Sequence, residues 1–135
     1  MNCRDIYDEA HARGMAALNA AKPTPMNVVQ TDILTGKPLP GATVYHEPEG
    51  MCGFAWISIP NRRKTAKHEA SPQANRDFTR WLKANNRGHK AYYGGWDIWV
   101  SEGNQSIERK EAYARAFSAY LNECGITSYP GSRLD

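Results

Sequence analysis

The sequence predicts an α+β fold, because three observations from residue 53 onward give a regular order of strands and helices. The run 53–60 alternates between small or aliphatic side chains and larger or polar ones, as a strand does. Two segments with helical spacing follow at 71–86 and 106–124, and a hairpin at 90–100 separates them. With a last strand at the end of the chain, this order matches a ferredoxin-like (split βαβ) antiparallel sheet with two helices on one face.

An extra N-terminal helix is predicted before this core. Residues 3–21 have Asn2 as a candidate N-cap, acidic residues near the start and alanines in the second half. The apolar face of this helix consists of small side chains, which indicates close approach to another element, either the sheet or a second copy of the chain. The proline-rich connection that follows has short predicted strands at 27–32 and 43–46.

The second helix of the chain is predicted from Ser71, as N-cap, to about Asn86, with Pro72 at the first helical position. The hairpin after it is predicted from two aromatic and β-branched runs that flank Gly94-Gly95. A two-residue turn at this glycine pair sets Tyr93 opposite Trp96 and Lys90 opposite Trp99. The face turned away from the core is then Lys90, Tyr92, Asp97 and Trp99.

The third helix is predicted from Ser106 to Cys124, with an apolar stripe toward the core and Glu111 and Arg115 as an exposed ion pair. A last strand is expected at 126–134, where Pro130 suits the edge of a sheet. The chain is thus expected to be one domain, 1–135, in which residues 1–50 precede a βαββαβ core at 51–135.

Aromatic side chains on the sheet give the first candidate binding site. On an exposed sheet face they form a stacking platform for single-stranded nucleic acid or a nucleotide. Under the N-terminal helix they would instead form a second small core, because large exposed aromatic patches are uncommon. The run 53–59 is similar to the aromatic strand of the RNA-recognition motif, but it starts after Cys52 and lies on the first strand, so that motif is not predicted. The proposed stacking residues are Phe54, Trp56, Tyr92 and Trp99.

Basic residues between 62 and 90 give the second candidate site. This stretch contains only Glu69 and Asp77 as acids. Four of its cations recur at helical spacing on the outer face of the second helix and form a basic stripe: Arg76, Arg80, Lys83 and Arg87. A phosphate backbone or an acidic protein surface would fit such a stripe, although a helix also needs polar residues simply to solvate its outer face. The cations are Arg62, Arg63, Lys64, Lys67, Arg76, Arg80, Lys83, Arg87 and Lys90.

Composition and spacing argue against several classes of protein. The 135 residues include 41% hydrophobic and 23% charged residues, as in an ordinary single domain, and the net charge of +3 is too small to identify a partner. The sequence has neither an apolar run near the roughly 18 residues of a membrane span nor a signal peptide, which predicts a cytoplasmic location. Three separate cysteines, Cys3, Cys52 and Cys124, predict no disulfide framework.

Catalytic motifs are also absent from the sequence. The four histidines have no metal-ligand spacing, and no nucleophile elbow or phosphate-binding glycine loop occurs. Asp97 as a general base is the remaining catalytic alternative, against a role as a hydrogen-bond partner across strands. The prediction is a protein that is not an enzyme and has no metal or cofactor. The histidines are His11, His46, His68 and His89.

Six segments carry a resemblance to a known group of proteins: 10–25, 52–56, 92–100, 105–116, 125–129 and 132–135. Together they resemble a family of small proteins of no established activity that tailed bacteriophages encode. The resemblance implies a cytoplasmic product made in an infected bacterium, and it carries over no catalytic residues.

The function predicted from the sequence is binding of a polyanion, either nucleic acid or a nucleotide, through the basic helix face with sheet aromatics as stacking partners. The alternative is a counter-defence or host-takeover protein that docks on a bacterial host protein and inhibits it. A homodimer through the first helix is compatible with both functions.

Overall fold

The computed structural model describes residues 2–92 and 94–135. Within these residues the chain forms helices α1 (Cys3–Ala20), α2 (Gln73–Ala84) and α3 (Ile107–Glu123) and two antiparallel sheets. The fold class is therefore α+β, as predicted. The strands are β1 (Met26–Val29), β2 (Val44–Glu47), β3 (Gly53–Ile59), β4 (His89–Lys90), β5 (Trp96–Trp99) and β6 (Tyr129–Leu134).

The larger sheet has the strand order β4-β5-β3-β6, and each neighbouring pair is antiparallel. β3 is a central strand, and its burial alternates as its sequence predicts, with the face of Ala55, Ile57 and Ile59 closed off from solvent. β6 lies at an edge, which is the position that Pro130 predicts. The buried face of this sheet is called the inner face below, and the opposite one the outer face.

α1 packs closely against another element, as its small residues predict, but that element is α3 instead of the predicted sheet or second copy of the chain. A Cβ atom on Gly14 would lie 2.7 Å from two ring carbons of Tyr113, which shows how near the two helices come. Ile6, Tyr7 and other buried residues of α1 belong to the same core as the inner face of the sheet. The alternative in which α1 covers the sheet aromatics as a second core is therefore wrong.

The hairpin between β4 and β5 differs from the prediction in both turn and register. Five residues, 91–95, connect the strands, and Lys90 pairs with Trp96 instead of Trp99. Gly95 lies against the end of β3, where a Cβ atom would come within 2.6 Å of the Ile59 carbonyl oxygen, so this glycine serves a close backbone approach and not the centre of a tight turn. The predicted pairing of Tyr93 falls on a residue outside those described.

α2 is shorter than predicted at both ends. Pro72 occupies the N-cap position, and the Ser71 hydroxyl oxygen instead accepts a hydrogen bond from the Arg62 backbone N–H at 2.8 Å. The helix ends at Ala84, before a residue with positive φ, Asn86 at 55°. α3 begins after its predicted N-cap, Ser106, and ends one residue before Cys124, so its prediction is confirmed.

The ends of the predicted strands at 27–32 and 43–46 are displaced by one to three residues. These strands, β1 and β2, pair with each other in a separate two-stranded sheet. The two strands and their connection, residues 26–47, are called the arm below. The base of the arm is fixed to α3, since the Arg109 guanidinium donates to the Glu49 carboxylate and to the Leu18 carbonyl oxygen at the end of α1. None of the helices in residues 2–92 and 94–135 is long and apolar enough to cross a membrane.

Candidate functional site

The outer face of the larger sheet presents its side chains in three rows. Directly paired residues of antiparallel strands point to the same side, so the register defines the members of each row. Rows along a strand lie about 7 Å apart, because a strand rises about 3.3 Å per residue and every second residue shares a face. The cation row is Phe54 and Arg133; the indole row is Trp99, Trp56 and Gly131; the polar row is His89, Asp97, Ser58 and Tyr129.

The indole row holds two stacked tryptophans. The rings of Trp56 and Trp99 lie 5.1 Å apart between centroids, with 25° between their planes. The Trp56 indole lies across Gly131 of the edge strand, and a Cβ atom at that position would overlap the ring, so a glycine is required there. Trp99 keeps 37% of its surface exposed, and Trp56 is half-buried. The row therefore leaves part of the Trp99 indole accessible to a planar ligand.

Two cations flank Phe54 beside the indole row. The Arg133 guanidinium carbon lies 5.4 Å from the Phe54 ring centroid and 5.7 Å from that of Trp99. Lys110, from α3, is almost fully buried, and its Nζ lies 5.8 Å from the same Phe54 ring. In the part of the chain that the structure describes, neither cation forms an ion pair. Their charge is therefore available to an anion at this end of the outer face.

The polar row begins on the other side of the indoles. The Ser58 hydroxyl donates a hydrogen bond of 2.5 Å to Oδ1 of Asp97 on the neighbouring strand. The cavity formed here has a volume of about 340 Å³. Indole, hydroxyl, carboxylate and guanidinium groups thus meet around one space. The cavity is lined by Trp56, Ser58, Ala91, Tyr92, Gly94, Asp97, Trp99 and Arg133.

The structure changes the predicted membership of this face at two positions. Lys90, which was predicted to lie there, pairs with Trp96 and so belongs to the inner side of the edge strand. His89 takes its place opposite Asp97, and its ring lies 5.9 Å from that of Trp99. Tyr92 lies in the connecting loop instead of on a strand, and it still lines the cavity.

The basic stripe of α2 lies on the other side of the molecule. Phe78 and Leu82 of α2 are buried in the core against the inner face, so the helix and its exposed Arg80 and Lys83 lie on the inner side of the sheet, opposite the outer face. The stripe and the outer-face tryptophans therefore do not form one surface, and the predicted combined site is wrong in this respect. The reason is that an amphipathic helix turns its apolar side to the sheet and its charges outward.

The cations of the stripe also have partners of their own. Arg80 lies 3.8 Å from the Asp77 carboxylate, and Lys83 Nζ lies 5.1 Å from the Trp96 ring centroid. Arg87 follows the end of the helix and its guanidinium carbon lies 4.8 Å from the ring centroid of Tyr7 on α1. The continuous line of four predicted cations is thus reduced to three on the helix.

The loop before α2 brings some of the predicted cations together. Arg63, Lys64 and Arg76 line a cavity of about 440 Å³ with Asn61 and Ala70. Arg62 lines a separate cavity of about 150 Å³ beside Gly94 and Gly95, at the end of β3. Both cavities include Asn61, so these cations form a basic surface beyond the end of β3.

The histidines do not converge on a site. Nδ1 of His11 lies 2.6 Å from the Tyr113 hydroxyl between α1 and α3, and Nδ1 of His46 lies 3.0 Å from Oδ1 of Asn27 in the arm. Burial, followed by the nearby Glu102 charge, raises the pKa of Tyr113 above its usual range. Among residues 2–92 and 94–135 no group of three His, Cys, Asp or Glu residues is placed to hold a metal ion.

Comparisons with known proteins give no further identification. No family model matches the chain, and neither the curated proteins nor the solved structures contain a match. The resemblance to a bacteriophage family stays a prediction. The function is therefore inferred from the geometry of the outer face.

Proposed function

We propose that this protein binds single-stranded nucleic acid or nucleotides on the outer face of its larger sheet, without catalysing a reaction. The observation that carries the proposal is the stacked pair Trp56 and Trp99 beside Arg133, on a face that helices α1, α2 and α3 leave uncovered. Base stacking on an aromatic side chain contributes about 1 to 3 kcal/mol per base. Arg133 and Lys110 supply positive charge for a phosphate next to the stacked base.

The proposal includes a ferredoxin-like core made of β3, α2, β4, β5, α3 and β6. It is supported by the strand order β4-β5-β3-β6 with antiparallel neighbours, which is the order of a split βαβ arrangement. Proteins with a four-stranded sheet of this kind stack bases on aromatic residues of the sheet. Here the two tryptophans lie on β5 and β3, the two central strands, where a ligand is farthest from the sheet edges.

Salt dependence distinguishes this face from the basic surface that the sequence predicted. For a single strand, the slope of log affinity against log salt is about −0.7 for each neutralised phosphate. Contacts to Arg133 and Lys110 alone give a slope of about −1.4, whereas four cations of the loop and α2 would give about −2.8. For a ligand too short to extend past the end of the sheet, a shallow slope thus supports the outer face, and a steep one supports the basic surface.

The experiment is titration of a short labelled single-stranded oligonucleotide, read by anisotropy and by quenching of tryptophan fluorescence. Trp99→Ala should weaken binding by about 5- to 150-fold, the equivalent of one stacked base. Tyr45→Ala, which removes an exposed aromatic side chain of the arm, is the matched control and should bind as the wild type does. Unchanged affinity in Trp99→Ala, or a larger loss in Arg80→Ala than in Arg133→Ala, would contradict the proposal.

The arm favours a second candidate function. In this function the chain is a phage counter-defence or host-takeover protein that docks on a bacterial host protein and inhibits it. The tip of the arm exposes Ile33 and Leu34 almost completely, at 98% and 94%. Exposed apolar side chains on a projecting hairpin suit a protein partner better than a nucleic acid. Affinity capture from bacterial lysate should then recover one protein with the wild type and not with the double variant Ile33→Ser and Leu34→Ser; equal capture by both would exclude this role for the arm.

A further inference from the structure

The polar row of the outer face contains a carboxylate that base stacking does not explain. Asp97 lies one row from the stacked indoles, and both it and Ser58 line the same cavity of about 340 Å³ as Trp56 and Trp99. The hydrogen bond of 2.5 Å from Ser58 to Oδ1 fixes the carboxylate in orientation. A planar ligand stacked on the indoles thus has its edge directed toward a positioned hydrogen-bond acceptor.

The positions of Arg133 and Asp97 determine the orientation of a nucleotide bound on the outer face. Arg133 belongs to the cation row and Asp97 to the polar row, and the indole row lies between them. Their backbone positions are about two rows, or roughly 14 Å, apart along the strands, and both side chains line the same cavity. A nucleotide whose phosphate lies toward Arg133 therefore directs its base across the tryptophans and toward Asp97. A nucleotide in the reverse orientation would bring two negative charges together.

The chemistry of a carboxylate restricts which base it accepts at that position. An ionised aspartate accepts hydrogen bonds and donates none, and two of its lone pairs can engage two adjacent donors. On their Watson–Crick edges, adenine and cytosine each place one amino donor beside an acceptor nitrogen, and uracil places one N–H between two carbonyl oxygens. Guanine alone presents two adjacent donors, N1–H and the 2-amino group.

We propose that Asp97, positioned by Ser58, selects guanine in this site, with N1–H and the 2-amino group donating to its carboxylate. This inference rests on the proposed binding of nucleotides to the outer face. It extends that function from stacking, which accepts every base, to selection of one base. Proteins that recognise single strands commonly read the Watson–Crick edge of a stacked base, so the two contacts are compatible.

The test is a set of titrations with four nucleoside 5′-monophosphates, GMP, AMP, CMP and UMP, followed by quenching of tryptophan fluorescence. A bidentate contact to a base edge contributes discrimination of about 5- to 150-fold, so GMP should bind tighter than the other three by a factor in that range. Inosine 5′-monophosphate, which keeps N1–H and lacks the 2-amino group, should bind with intermediate affinity.

Asp97→Asn is the variant that isolates the carboxylate, because an amide keeps the size of the side chain and replaces one acceptor by a donor. It should lose the preference for GMP while it still binds AMP. Asp77→Asn, on the exposed side of α2, is the matched control and should retain the preference. Far-ultraviolet circular dichroism and a urea midpoint check that each variant is folded.

The outcomes separate this inference from the function on which it rests. If all four nucleotides quench the tryptophans with equal affinity, or if Asp97→Asn keeps the preference for GMP, the selection of guanine is refuted and the stacking function stands. If no nucleotide and no oligonucleotide quenches the tryptophans, the stacking function itself is refuted, and selection by Asp97 is refuted with it.

Discussion

Replacing Asn75 by alanine should destabilise this protein more than most single substitutions do. Asn75 lies on α2 with no exposed surface, and its amide donates to the Pro60 carbonyl oxygen at 2.7 Å and to the Thr127 carbonyl oxygen at 2.9 Å. Its Oδ1 accepts the Thr127 backbone N–H at 2.9 Å. One side chain thus joins α2 to the end of β3 and to the segment that leads into β6.

The magnitude follows from what alanine leaves behind. Two carbonyl oxygens and one N–H lose their partner, and each polar group left buried without one costs about 1 to 3 kcal/mol. The better helix propensity of alanine offsets about 0.6 kcal/mol of this loss in the free energy of unfolding, and relaxation of neighbouring groups reduces it further. The expected loss in the free energy of unfolding is therefore about 3 to 5 kcal/mol, a large part of the stability of a domain of this size.

Asn122 provides a matched control for this prediction. Its amide donates to the carbonyl oxygens of Ser118 and Ser128 at 2.9 and 3.1 Å, and its Oδ1 accepts the Ser128 N–H at 3.1 Å, so the hydrogen bonds are of the same three types. It also lies on a helix, and the gain in helix propensity therefore cancels between the two variants. The difference is that the Asn122 side chain is exposed, so removing it opens a path for water to the Ser118 and Ser128 groups that it leaves behind. Asn122→Ala should lose about 1 kcal/mol.

Urea unfolding of both variants, followed by tryptophan fluorescence and circular dichroism, measures the two losses. The midpoint should shift with an unchanged slope if stability alone has changed. Equal losses in the two variants would refute the argument, because burial is then not what decides the cost. A loss below about 1.5 kcal/mol in Asn75→Ala would refute it as well, since three unpaired buried groups cost more than that.

Two further predictions concern the packing of α1 and the base of the arm. Burial raises the pKa of Tyr7 and Tyr113 above the unfolded value, so the unfolded chain releases these protons first as pH rises. The contribution of the two neutral tyrosines to stability is therefore complete below about pH 10 and is lost as pH rises above it. Urea midpoints compared from about pH 8 to 11 should fall less steeply in Tyr113→Phe than in the wild type. A flat profile in the wild type would contradict this. Arg109→Ala breaks the contacts to Glu49 and Leu18, which should cost about 1 to 3 kcal/mol and speed cleavage by a glutamate-specific endopeptidase after Glu49, the residue that loses its partner. Arg115→Ala, which breaks an exposed pair at 4.0 Å, should do neither, and equal cleavage in both would contradict the assigned role of Arg109.

Periodicity in the sequence predicted the elements well, because each pattern depends on local geometry. β3 and α3 agree with their predicted ranges to within one or two residues, and α1 ends one residue early. The end of α2 could not be predicted from spacing, since Arg87 continues the helical pattern after the helix has ended at Ala84. What ends it is the positive φ of Asn86 and the contact of Arg87 with Tyr7, a residue distant in the chain.

The register of the hairpin shows how one local error changes a functional face. The predicted two-residue turn paired Lys90 with Trp99, whereas the observed partner is Trp96, a shift of three residues. An odd shift moves every side chain of a strand to the opposite face, because side chains alternate with a period of two. Lys90 therefore leaves the outer face and His89 enters it. Arg133 was missed for a related reason, since the sequence does not tell which strand pairs with β3 on its other side.

The aromatic site on the outer face and the basic stripe of α2 are separate because of the way in which a helix packs on a sheet. An amphipathic helix packs on the apolar face of a sheet, so its charged side necessarily faces away from the other sheet face. The tryptophans on the outer face and the cations on α2 can therefore serve one ligand only if that ligand extends past an end of the sheet. Arg62 lies beside Gly94 and Gly95 beyond the polar row, and Arg63, Lys64 and Arg76 follow it. A mononucleotide would occupy the outer face alone, whereas a longer strand could continue to these cations, so the salt slope should become steeper as the oligonucleotide lengthens.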